Sequence, residues 1–330
     1  MAASESQRLM LKVCYQAYRR HLSHKEIAAN LGISRFQVAR LLRAALDAGY
    51  VSVNILEPER WHSDMEVQLE ERTGLKAVIV VDSEDVGESE LQSRVADAAG
   101  RFLLEQTLDG AVIGISLGET IQRLVAQLPA RIPGKAEVVQ LIGGRGRVTS
   151  EVSSITLAID LARRFGTEPH LLFAPAIVDS AQRQVLLAHD DLRATFDKFA
   201  RLDIAVLGVG SLTEPATSRL RYGGVIDDAL HARLLRRGAV ADVLSYVLTD
   251  DGEVLSSGLE DRTISIGLDD LRRTPHRIGV ASGWRKSRAV RAAIASGLVN
   301  ILVTDTQIAS AWPSRDAPSR SSSFTVGSEW

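Results

Sequence analysis

The chain carries 330 residues, 45% of them apolar and 24% charged, with a formal net charge of −2. That length allows two or three domains, and that apolar share excludes a disordered chain. The single Cys14 excludes an internal disulfide; with no membrane-length apolar run and no basic leader ahead of an apolar segment, a soluble cytoplasmic protein is expected. The charge is unevenly spread. Residues 1–56 hold eight Lys and Arg against three acids, so the remainder carries a surplus of acids. A basic head on an acidic body suits a head that meets a polyanion.

In chain order, residues 7–20 ("QRLMLKVCYQAYRR") predict a support helix. The next stretch, "SHKEIAANLGISRFQVARLL" over residues 23–42, places Ser23 three residues before Glu26 and Ser34 three before Gln37. Each pair is a capping box and so a helix start. Between them, Ala28 lets two helices approach, Gly32 permits a left-handed turn, and Val38 locks the second helix inward: a helix-turn-helix. Ile27, Leu31 and Ile33 supply its core, and Val38, Leu41, Leu42 and Ala45 recur at helical spacing as one buried stripe. Ser34, Arg35, Gln37, Arg40 and Arg43 fall at the start or outer side of the second helix, and Lys25 adds charge to the first. Arg suits guanine, Gln suits adenine, and an aromatic such as Phe36 suits a thymine methyl, so double-stranded DNA is the expected partner. Phe36 either joins that readout set or packs inward. "YVSVNIL" (50–56) alternates like a short strand, as a wing would.

After Pro58 the pattern changes. A helix is expected over residues 62–73, ended by Gly74, and then strands and helices alternate. Strand candidates are "KAVIVVD", "AVIGIS", "AEVVQLIGG", "HLLFAPAIV", "LDIAVLGVG", "RIGVAS" and "VNILVTD", with helices from about Glu119 and over roughly 151–165. Short, nearly continuous apolar strands separated by helices imply a buried, mostly parallel sheet, with ligands beyond the strand C-termini. Three Gly-rich turns stand at such ends: "GISLGET" (114–120), "IGGRGR" (142–147) with Arg145 and Arg147, and "LGVGS" (207–211). Free N–H groups there suit a phosphorylated ligand. No dinucleotide or P-loop fingerprint occurs in the right context, so no nucleotide cofactor is expected.

These stretches, in this order and spacing, resemble the SorC family of bacterial transcriptional regulators. The likeness runs through the helix-turn-helix, "GISLGETI", "VVQLIGG", "LLFAPAIVDS", "LDIAVLGVGS", "GAVADVLSYVLTDDGEVL" and "RIGVASGWRKSRAVRAAIASGLVNILVTD". The resemblance implies a small N-terminal helical helix-turn-helix domain over 1–56. It implies a Rossmann-like α/β effector domain, related to sugar-phosphate isomerases, over 57–312, and residues 313–330 read as a flexible tail. It implies a phosphate loop of Ser116, Leu117, Gly118, Glu119 and Thr120, a ligand lysine at Lys286, an acidic partner for sugar hydroxyls at Asp242, and a second phosphate contact from Arg219 or Arg221. It also implies dimers or tetramers. The chain departs from the family pattern at Ser282-Gly283, usually Gly-Gly, at Ala241, often Gly, and at Glu119, which puts a negative charge in the phosphate loop.

The competing class is a sugar-phosphate isomerase or deaminase with an N-terminal extension, whose chemistry needs a placed carboxylate or His. After "LDIAVLGVGS" the chain reads "LTEPATS", without the Asp-Gly-His of a deaminase, and the seven His are scattered without metal-ligand spacing. The expectation is therefore a regulator with no catalytic residue, metal or cofactor. Its effector is a sugar, polyol or sugar phosphate, and its heads read an inverted-repeat operator as a homodimer or homotetramer.

Overall fold

The computed structural model describes residues 2–53, 61–144, 153–214, 220 and 226–312. The chain divides into two compact units, 1–58 and 59–330.

The first unit is helical: α1 (Ala2–Cys14), a π-helical turn (Tyr15–Arg19), α2 (His24–Leu31) and α3 (Arg35–Asp47). Its small core joins Met10 and Val13 of α1 to Ile27 and Ala28 of α2 and Val38, Leu42 and Ala45 of α3. Ser23 closes both halves of its box: its Oγ accepts from Glu26 N at 3.3 Å, and its own N–H donates to Glu26 Oε2 at 2.8 Å. At Ser34 the bond formed is the single cap from Gln37 N to Ser34 Oγ, 3.1 Å, so the second box is only half made. Gly32 takes the left-handed conformation (φ 65°) that the tight turn requires. Residues 50–53 form no strand; Tyr50 N donates instead to Ala45 O at 2.9 Å, prolonging the end of α3. The rest of the expected wing lies outside the described residues, as do Arg145, Arg147 and the tail from 313.

The second unit opens with α4 (Ser63–Thr73), ended by Gly74 at φ 70°. Strands and helices then follow: β1 (Ala77–Val81), α5 (Glu88–Leu104), β2 (Val112–Ile115), α6 (Glu119–Gln127), β3 (Glu137–Gln140), α7 (Ser154–Phe165) and the two-residue β4 (Pro169–His170). Next come α8 (Ser180–Leu187), α9 (Asp190–Phe199), β5 (Ile204–Gly208), β6 (Gly210–Ser211), α10 (Asp228–Arg236), β7 (Ala239–Val243) and β8 (Tyr246–Thr249). The described chain closes with α11 (Leu268–Arg273), β9 (His276–Val280), a 3-10 turn (Trp284–Lys286), α12 (Ser287–Ala295), β10 (Ile301–Asp305) and α13 (Thr306–Ala309).

Seven strands form one parallel sheet in the order β1-β10-β9-β5-β2-β3-β4. Its central strands are buried on both faces, as the continuous apolar runs require. The apolar layers on its two sides are separate clusters, one holding Val95, Leu103, Ile121, Leu124 and Leu161, the other Val139, Leu141, Leu207, Ala289 and Leu302. A second, three-stranded antiparallel sheet, β6-β7-β8, rises from the end of β5. Of the long apolar stretch at 170–178, only Pro169–His170 pairs as a strand. Ala174 O instead accepts from Gly144 N, Ala176 N donates to Gly144 O, and Ile177 faces Thr263, so the segment wraps the end of the sheet.

Candidate functional site

On α3, Arg35, Phe36, Arg40 and Arg43 are exposed and Gln37 is partly so, while Val38, Leu42 and Ala45 are buried beneath them. Phe36 is 80% exposed, which settles its orientation outward. An 80% exposed phenyl among arginines gains nothing from folding and suits contact with another surface. Lys25 is exposed on α2. Ser34 is committed to the cap.

In the second unit the expected effector residues gather where β2 and β5 end. Ser116 follows β2 directly; its N–H donates to Val206 O and its Oγ accepts from Gly208 N, both at 3.0 Å. The amide of Ser116, as donor, and its hydroxyl oxygen, as acceptor, thus hold the loop to the neighbouring strand, so that amide is not the spare donor that a phosphate loop starting there would need. Leu117 crosses so close that a Cβ on Gly208 would lie 3.2 Å from Leu117 O. Gly118 is the N-cap residue of α6 and supplies no side-chain cap. The first-turn amides, running from Glu119 through buried Thr120, open along the helix axis at this end.

Asp242, 8% exposed, pairs across β6 with Gly210, two residues beyond the end of β5. A Cβ at Gly210 would stand 2.1 Å from Asp242 Oδ1, so the carboxylate lies over that glycine because it has no side chain. Lys286 ends the 3-10 turn that opens α12; the turn lies against β6 and α12 against β7, the strand that holds Asp242. The Ser116 loop, Asp242 and the Lys286 turn, far apart in sequence, therefore surround the exit of β5. Arg219 and Arg221 lie outside the described residues.

Asp305 belongs to this site and was not foreseen. It ends β10, is fully buried, and accepts three backbone N–H bonds: Gly283 to Oδ2 at 2.6 Å, Gln307 and Ile308 to Oδ1 at 2.9 and 3.1 Å. Burial pushes its carboxyl above its ordinary range, and the three amides oppose that. One carboxylate so caps α13 and fixes the Gly283 bend (φ 87°) just ahead of Lys286. An Asp at the end of an apolar strand, before "TQIA", is an N-cap signal legible in the sequence. At the other end of α12's first turn, Arg288 grips Asp250 by two bonds of 2.8 and 2.6 Å, and the guanidinium holds that carboxyl below its usual range. Among the described residues no cluster of three metal-ligating side chains occurs, and no helix is long and apolar enough to cross a membrane.

A family model described as "Putative sugar-binding domain" matches residues 60–312. The sorbitol operon regulator of Klebsiella pneumoniae is 29% identical over 315 residues, covering 94% of this chain and 98% of its own length. The deoxyribonucleoside regulator of Bacillus subtilis is 30% identical over 310 residues, covering 93% and 97%. The chain belongs to the SorC family of transcriptional regulators. The crystal structure of the full-length Klebsiella regulator superposes with a TM-score of 0.70 at 27% identity, covering 92% of this chain and 98% of the other. Relatives of near-equal length are regulators of transcription, and so is this chain; the isomerase or deaminase alternative is set aside.

Proposed function

We propose that residues 1–56 bind double-stranded operator DNA and that the strand-end site of residues 57–312 binds a small sugar, polyol or sugar phosphate which alters that binding. The convergence of the 116–120 loop, Asp242 and the Lys286 turn around the exit of β5 carries the effector half of this reading. A cation, a carboxylate and a helix N-terminus brought to one strand end suit a ligand with hydroxyls at one end and an anion at the other. Asp242 accepts from sugar hydroxyls, Lys286 and the α6 amides face the anion, and Arg219 or Arg221 adds a second anion contact.

For the DNA half, α3 enters the major groove with Arg35, Phe36, Gln37, Arg40 and Arg43 toward base edges and backbone, Lys25 adding a phosphate contact. One such unit makes few contacts, so a homodimer or homotetramer presents two heads to an inverted repeat in the cytoplasm. The effector acts by binding one subunit arrangement better than another, a coupling of about 1–3 kcal/mol.

Fluorescence anisotropy on DNA from upstream of its own gene, with and without sugars and their phosphates, tests both halves. Arg40→Ala is expected to abolish tight operator binding and keep effector binding; Lys286→Ala is expected to keep operator binding and blunt the effector response. Equal loss of both activities in either folded variant overturns the division into two sites.

A further inference from the structure

The β7–β8 hairpin reverses in two residues, Leu244 and Ser245, between the paired Val243 and Tyr246. Both have positive φ, 52° and 73°. Turns of this type normally use Asn-Gly or Gly-Gly, because a side chain crowds a left-handed backbone. Here a leucine and a serine hold it, both buried: Leu244 is 7% exposed and packed into the main apolar cluster, and Ser245 is 4% exposed. Among the described residues the Ser245 hydroxyl finds no hydrogen-bond partner. A buried hydroxyl left without a partner is rare, and strained backbone persists where function holds it in place.

The hairpin's position says what the hydroxyl is for. At one end, Asp242 pairs with Gly210, just beyond β5. At the other, Tyr246 Oη donates to Ile266 O at 2.8 Å, and Ile266 N donates to Leu141 O at 2.9 Å; Leu141 directly follows β3. The sheet order in this region is β5-β2-β3. The hairpin folds back on itself, Asp242 beside Val247 and Val243 beside Tyr246, so the reach toward β3 is made by the Tyr246 side chain and not by the backbone. It is thus held by its backbone at the exit of β5 and by the Tyr246 side chain toward β3, and β2, whose end leads into residues 116–120, lies between those two strands.

We propose that Ser245 is a specificity-determining contact of the effector site, its hydroxyl bonding an oxygen of a sugar or polyol held between Asp242, Lys286 and the 116–120 loop. This rests on the effector reading above. Asp242 only accepts when ionised, whereas a serine hydroxyl donates one bond and accepts others. Ser245 therefore reads a ligand oxygen that Asp242 cannot, and a ligand lacking that oxygen leaves the serine orphaned. Its role is to choose among sugars, while the anion is held elsewhere.

The test uses the full-length chain with Ser245→Gly and Ser245→Ala, titrated calorimetrically with sorbitol 6-phosphate, 2-deoxyribose 5-phosphate and inorganic phosphate, with melting temperature recorded in parallel. Glycine removes the hydroxyl and relieves the backbone; alanine removes the hydroxyl alone. Both variants are expected to bind the better sugar phosphate about tenfold more weakly with inorganic phosphate unaffected, while Ser245→Gly melts at or above the wild type. Unchanged sugar-phosphate affinity in both variants overturns the proposal and leaves the turn a structural oddity. A parallel loss of inorganic phosphate overturns it too, by assigning the effect to the anion or to the fold. If the wild type binds neither of these nor any of a panel of sugars, polyols and other sugar phosphates, the effector reading itself falls and the serine's role with it.

Discussion

Replacing Asp305 with Asn tests how the Lys286 turn is held. The carboxylate is fully buried and serves two groups: Oδ1 caps α13 through Gln307 and Ile308, and Oδ2 takes the Gly283 N–H at 2.6 Å. Asparagine keeps the cap but sets an amide nitrogen against the Gly283 N–H, donor against donor. Losing one charge-assisted bond inside the protein costs about 1.5–3 kcal/mol. Burial already raises the carboxyl's pKa, so removing the charge returns part of that cost, leaving about 1–2 kcal/mol. For a unit of this size the melting temperature should fall by about 2–8 °C. The Gly283 bend then loosens three residues before Lys286, so sugar-phosphate affinity should fall several-fold while operator binding without effector is kept. Differential scanning calorimetry and effector titration on the same preparation measure both. An Asp305→Asn protein with wild-type melting and wild-type affinity would refute the idea that this carboxylate positions the turn.

Other perturbations have equally defined outcomes. Gly210→Ala places a methyl 2.1 Å from Asp242 Oδ1, so the carboxylate must swing away; overpacking of about 1–3 kcal/mol and weakened effector binding are expected, with operator affinity retained. Ser23→Ala opens the capping box at the start of α2 and should lower the stability of the first unit by about 1 kcal/mol, read as an earlier helical melt. Glu137 is drawn below its ordinary 4.5 by Lys198, and further by His170, against the opposing effect of burial. Its stabilisation is present above pH 4.5 and is lost as pH falls through the lower folded value. The pair is part-exposed, so the effect is under about 1 kcal/mol; urea melts at pH 7 and pH 3.5 should show a smaller acid loss in Glu137→Gln than in the wild type.

The sequence by itself determined whatever depends on neighbours along the chain. The Ser23 cap, the Gly32 turn and the Val38-Leu42-Ala45 stripe were legible because capping and helical periodicity act within a few residues. The main parallel sheet was legible for a similar reason: strands buried on both faces become continuous apolar runs, and six of the seven strand candidates form strands where the runs stand. Local pattern misled where partners were missing. The alternation at 50–53 pairs with no strand among the described residues, and 170–178 is as apolar as a strand because it wraps the sheet end. Only the tertiary structure decided the rest. Phe36 is outward because the small core beneath α3 is already filled from α1 and α2. The β6-β7-β8 sheet lays the Asp242 carboxylate over Gly210, a contact between residues 32 positions apart. Asp305 reads as an ordinary cap until the fold brings Gly283 to its second oxygen, and Ser245 is unremarkable until burial leaves its hydroxyl alone. A cap or a stripe is encoded by spacing, but a site at strand ends is assembled from segments that only the sheet order brings together.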